Sequence, residues 1–178
     1  NDSWEQRYYH INLISSAHKL LGNKKEELRI LYFLEGDLKF QSLLRRRAEL
    51  NFEFGNYKKS AQDFAKYGFC PGYAEAGGMW LATNDLRFPK ALELSGNEDG
   101  AKHILGMIIG NYKHKEEKQE RDYLSAIAAE RELVRLGRED DLDIEKEIIN
   151  NKIFSKEEIE NKINLYLPKT NIVEKINS

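Results

Sequence analysis

Cysteine, proline and long apolar runs are all scarce in this chain of 178 residues. Its one cysteine, Cys70, cannot close an internal disulfide, so the fold is no disulfide scaffold, and a single thiol assigns no redox compartment. Pro71, Pro89 and Pro168 are the only prolines. A proline inside a helix removes a hydrogen bond and clashes with the preceding turn, so this scarcity leaves room for long helices. No apolar run approaches the roughly 20 residues that span a bilayer, which excludes membrane insertion by this segment. No apolar signal-peptide region stands at the start either. The chain opens Asn1-Asp2-Ser3 instead of with methionine, which points to a processed form or a piece of a longer protein and leaves room for an anchor or export signal. Cytoplasmic and extracytoplasmic locations both stay open.

Charge of one sign is missing as well. The net charge is −2, whereas a nucleic-acid binder carries a basic excess or a basic face, so nucleic acid is not an expected partner. What remains is ample: 40% hydrophobic and 33% charged residues, the composition of a soluble folded chain with a busy surface.

Gly-Asn dipeptides follow helical runs at Gly22-Asn23, Gly55-Asn56 and Gly110-Asn111. Glycine adopts a left-handed conformation at little cost and stops a helix, and asparagine caps the next one. Each of the three is therefore expected to end a helix. Before the first, Trp4, Tyr8, Ile11, Ile14, Ala17 and Leu21 recur every three or four residues, an expected inward stripe. Leu28, Leu31, Tyr32 and Leu34 continue in a second helix up to Gly36-Asp37. Around the second turn, Leu43, Leu44, Ala48 and Phe52 face Tyr57, Ala61, Phe64 and Ala65. Two apolar helices joined by about two residues are expected to lie antiparallel.

Further along, residues 73–83 allow a short helix presenting Trp80, and Phe88-Pro89 starts a brief one closed by Ser95-Gly96-Asn97. Ala101, Ile104, Leu105, Ile108 and Ile109 form the next stripe. Residues 113–122 are nearly all charged and read as a solvated helix face or loop. Tyr123, Ala126, Ile127 and Leu133 lead to a stop at Gly137. Asp141 is expected to cap a helix with Ile144, Ile148 and Ile149. Ser155 and Glu158 form a capping-box pattern for the last helix, carrying Ile159, Ile163 and Tyr166 to Pro168. No segment alternates with a period of two, so the expected class is all-α.

Gly55-Asn56-Tyr57-Lys58-Lys59-Ser60 followed by Phe64 resembles the centre of a tetratricopeptide repeat. Ser60 takes the small position after the turn, Phe64 the aromatic one, and Ala48 the small position of the first helix. Leu105-Gly106 and Tyr123-Leu124-Ser125-Ala126 resemble further pieces of that pattern. Lys24 replaces the turn tyrosine in the first copy, and no proline follows Phe64 at the expected interval. Residues 41–74 carry the best match. The resemblance implies an α-solenoid of stacked antiparallel helix pairs over residues 1–168, with a polar tail at 169–178. It further implies a groove that binds a protein or peptide segment, faced here by Arg45, Glu49, Phe52 and Glu53. Phe52 reads equally as a core residue.

Chemistry is thinly signalled. His10 and His18 are eight residues apart, not the four that set two metal ligands on one helix face; His103 and His114 add no ligand spacing. Asp140, Asp141 and Asp143 lack the glycine and distal glutamate of a calcium loop and read as helix-start acids. Cys70 has no nucleophile signature around it and reads as a packing residue. No phosphate-cradling glycine motif is present. Arg45-Arg46-Arg47 form the one cationic cluster, but consecutive helical residues splay by about 100°, so they cannot share one anion. One is expected to pair with Glu49 and another to meet an acidic partner. No catalytic residue, metal or cofactor is therefore assigned. The favoured reading is a non-catalytic protein or peptide interaction module. A structural or sensory part of a larger, membrane-attached bacterial protein and a small helical enzyme or ligand-binding domain are the alternatives.

Overall fold

The computed structural model describes residues 3–33, 41–68, 84–138 and 143–170, and no strand occurs among them. The fold class is all-α. Nine helices lie in the described residues: α1 (Trp4–Leu20), α2 (Lys24–Leu31), α3 (Gln41–Glu53), α4 (Tyr57–Gly68), α5 (Arg87–Leu94), α6 (Glu98–His114), α7 (Glu120–Arg135), α8 (Ile144–Asn150) and α9 (Lys156–Ile163). None of them is long and apolar enough to cross a membrane. They group into two compact units, one up to Tyr67 and one from Gly68 to Thr170.

In the first unit α1 packs on α2 and α2 on α3, over Ile11, Leu28, Leu31, Leu43 and Leu50. Ser60 Oγ donates to Ala48 O at 2.8 Å, so the small position of α4 docks directly onto the α3 backbone. The expected stripe Leu43, Leu44, Ala48 and Phe52 is buried, as are Ala61 and Phe64. In the second unit α7 is the central element and contacts α6, α8 and α9, while α5 packs on α6. Ser125, Ala126, Ala128 and Ala129 are all buried in α7, and such small side chains let neighbouring helices approach closely.

The Gly-Asn turns share one geometry, at positions that differ in part from expectation. Gly22, Gly55 and Gly96 hold φ of 68°, 74° and 88°. Each asparagine N–H reaches back five residues: Asn23 to His18 O (2.9 Å), Asn56 to Asn51 O (2.8 Å) and Asn97 to Leu92 O (2.9 Å). This is the Schellman stop, which satisfies carbonyls the helix end would otherwise orphan. Asn97 then accepts from Gly100 N at 2.9 Å and starts α6. Gly137 repeats the stop with φ 77°.

Gly110 does not end a helix: α6 runs through it to His114. Ile108, Ile109 and Tyr112 are buried on both sides of it, and that continuous stripe outweighs the roughly 1 kcal/mol a helical glycine costs relative to alanine. The third Gly-Asn turn is Gly96-Asn97.

Two further expectations change. On α1 the packed side is Ile11 and Ser15 with part of Tyr8, while Ile14, Ala17 and Leu21 are exposed. The last helix ends at Ile163, short of Pro168, although its Ser155–Glu158 capping box forms as expected. Leu34, Gly36-Asp37, Cys70, the Trp80 segment, Asp140, Asp141 and the tail from 171 lie outside the described residues.

Two glycine substitutions should move stability in opposite directions. Gly110→Ala fills open space at a helical φ and is expected to stabilise by about 0.5–1 kcal/mol. Gly96→Ala forces a side chain into a left-handed conformation and is expected to cost about 1–2 kcal/mol. Urea unfolding midpoints check both; equal signs would reverse the turn assignment.

Candidate functional site

The four positions expected to face a partner all sit on α3, and the structure finds a neighbour for each. Arg45 Nε donates to Glu49 at 3.2 Å, and its guanidinium lies 5.8 Å from the Tyr67 ring centre. Glu53 accepts from Lys24 Nζ at 2.8 Å. Phe52 is 3% exposed and meets Tyr57 edge-on with ring centres 5.4 Å apart. Phe52 is thus a core residue, because its ring lies where α3 turns into α4; it offers a partner no area.

The three consecutive arginines go three ways, as their splay requires. Arg46 makes a two-pronged pair with the fully buried Glu27 at 2.7 and 2.8 Å. This hydrogen bond, working against burial, raises the Arg46 pKa. Arg47 is itself buried and grips Asp63 through Nε and Nη2 at 2.8 and 2.7 Å. Its Nη1 donates to Leu31 O at 3.2 Å, and Asn51 Nδ2 donates to the same Asp63 at 3.2 Å. The acids awaiting this cluster are internal. Nothing in the sequence marks Arg47 and Asp63 as partners except the expected pairing of the helices that carry them.

A second surface, not singled out from the sequence, lies in the other unit. Glu130, Arg131, Val134, Glu145, Lys146, Ile149 and Lys156 line a groove of about 490 Å³. Its base is built by a carboxylate cap: Glu130, buried on α7, accepts from the N–H groups of Ile144 and Glu145 at 2.9 and 3.0 Å. A carboxylate there complements the positive end of α8. Burial is the main influence on the Glu130 carboxyl and, with Glu145 and Asp143 nearby, raises its pKa despite the two N–H bonds. A raised acid pKa favours the folded state most in acid, and the benefit fades as pH climbs through the folded-state value.

Arg131 closes one side of the groove. It holds Glu145 at 2.8 Å and Glu160 at 2.6 Å, and these hydrogen bonds raise its pKa. Val134 is 58% exposed, Ile149 is half-buried, and Lys156 stands at the rim in solvent. Lys146 pairs with Asp143 at 2.7 Å, and both are largely exposed. The groove therefore offers an apolar strip bordered by lysines, while its acids are already engaged with Arg131 and the α8 backbone. The one sequence signal was Val134 itself, an apolar residue off the Ile127–Leu133 stripe.

No group of three or more metal-ligating side chains occurs among the described residues. Comparison with protein families, with curated proteins and with solved structures gives no match to this chain.

The buried pair in the first unit should behave asymmetrically. Asp63→Ala strands the Arg47 charge and is expected to cost about 3–5 kcal/mol, whereas Arg47→Met with Asp63→Leu should recover most of that loss. Chemical denaturation of the single and double variants checks it; additive losses would deny the coupling.

Proposed function

We propose that this chain is a non-catalytic interaction module, a stack of helix pairs of the tetratricopeptide kind, that binds a protein or peptide segment. The three Gly-Asn turns support the repeat reading, because each leaves so little chain between two helices that the pair would run antiparallel. The observation that carries the binding reading is the α7–α9 groove, lined by exposed Val134 and half-buried Ile149 together with Lys146 and Lys156. An apolar anchor is the part of a segment that such a strip would bury, and lysines at the rim would select for acidic flanking residues. On the first unit, Arg45, Glu49 and Glu53 would add charge selectivity toward a partner, without help from Phe52.

A randomised peptide library selected on the purified chain tests this. Enrichment of an aliphatic or aromatic residue beside Asp or Glu is expected. Val134→Lys and Lys156→Glu should each weaken a selected peptide at least about tenfold, a change of about 1.4 kcal/mol. Loss with Arg45→Glu alone would move the binding surface to α3. Absence of any enriched motif would overturn the reading.

A further inference from the structure

The first helix is apolar on two sides, and only one of them is used. Ile11 and Ser15 face α2. On the opposite side Tyr9, Leu13 and Leu20 are 69%, 61% and 89% exposed, with Ala17 exposed between them. At 100° per residue, positions 9, 13, 17 and 20 fall within about 80° of one another, so they form one stripe. A helix apolar on both faces is one that packs on both sides.

Charge at the edge of this stripe indicates what covers it. Glu5 and Lys19 are exposed and make no ion pair with any described residue. They are fourteen residues apart, close to four turns and about 21 Å along the axis. They therefore border the same edge of the stripe but cannot reach each other. A second copy laid antiparallel across the first, with the two Leu13 side chains meeting on the two-fold axis, resolves both problems. Tyr9 then stands opposite the partner's Ala17, large against small, and Glu5 falls beside the partner's Lys19. The two-fold repeats each contact, as a self-complementary interface must.

We infer that α1 is a homodimerisation helix, pairing antiparallel with α1 of a second copy of this chain through Tyr9, Leu13, Ala17 and Leu20 and closed at each end by a Glu5–Lys19 ion pair. One helix stripe per copy is a small interface, so the dimer is weak and reversible.

Sedimentation equilibrium over a range of chain concentrations tests it. The wild type should pass from monomer to dimer, and Leu13→Glu should raise the dissociation constant at least about tenfold. Glu5→Lys and Lys19→Glu should each weaken the dimer by about three- to tenfold at low salt. Combining the two reversals should restore it, since the pair is re-formed with its signs exchanged. All three substituted positions are exposed, so circular dichroism should show every variant folded; were Leu13→Glu to unfold, the charge exchange decides alone. A chain that stays monomeric up to about 1 mM, or a dimer indifferent to both charge reversals, overturns the assignment. So does weakening by each reversal without recovery in the double variant.

Discussion

The buried grip of Arg47 on Asp63 is the interaction on which the first unit depends. It touches three helices at once, since the same guanidinium reaches Leu31 O at the end of α2 while Asp63 belongs to α4. Two desolvated charges gain little net stability over a well-packed apolar pair, but each is costly without the other. The pair therefore fixes which turn of α3 faces which turn of α4 more than it adds to the total. Neighbouring polar groups extend the same logic. Asn51 completes the carboxylate's hydrogen bonds, and the Tyr32 hydroxyl donates to Asn51 at 2.7 Å. A shift of one residue in α3 would break every one of these bonds together.

The second unit reaches register by different means. Its central helix is lined with alanine and serine, so packing there relies on close approach instead of on buried ion pairs. Polar anchoring comes at the edges. Glu130 caps α8, Arg131 holds acids from α8 and α9, and Lys115 donates to the buried Asp122 at 2.7 Å. Burial works against the Asp122 charge, but the bonds from Lys115 and the Gln119 N–H prevail and lower its pKa. Because these anchors engage the acids lining the α7–α9 groove, exposed Lys156 leaves basic charge facing solvent there. The selectivity proposed for that groove is thus a by-product of how its walls are held.

Much of the fold was legible because stop and start signals coincide with breaks in periodicity. Gly22 and Gly55 stand where one stripe ends and another begins. Gly110 carries the same dipeptide, yet Ile108, Ile109 and Tyr112 keep their phase across it, and the phase decides. Gly96-Asn97 sits at a true break and takes the role instead. On α1 the steps from Tyr8 to Ile11 and from Tyr9 to Leu13 are equally regular, so periodicity alone could not choose the packed face; Ser15, a polar residue, turned out to lie within it. The partners of Arg46 and Arg47 are not legible in the sequence because Glu27 and Asp63 stand 19 and 16 residues away, on other helices, whereas the local pairing with Glu49 is. The groove escaped notice for a related reason: its lining comes from three helices, and only tertiary packing brings Val134 to Ile149 and Lys156.

The Gly-Asn turns also bear on how quickly the chain can organise. Helix pairs such as α1–α2 and α5–α6 close across a few residues, so little loop entropy opposes their first contacts, and topologies dominated by local contacts fold fast. Arg47 cannot join that early phase. Its guanidinium loses water only when α2, α3 and α4 are all in place, so it stays hydrated until they close around it. The first unit thus assembles from rapid local hairpins and is sealed by one late, dehydrating step.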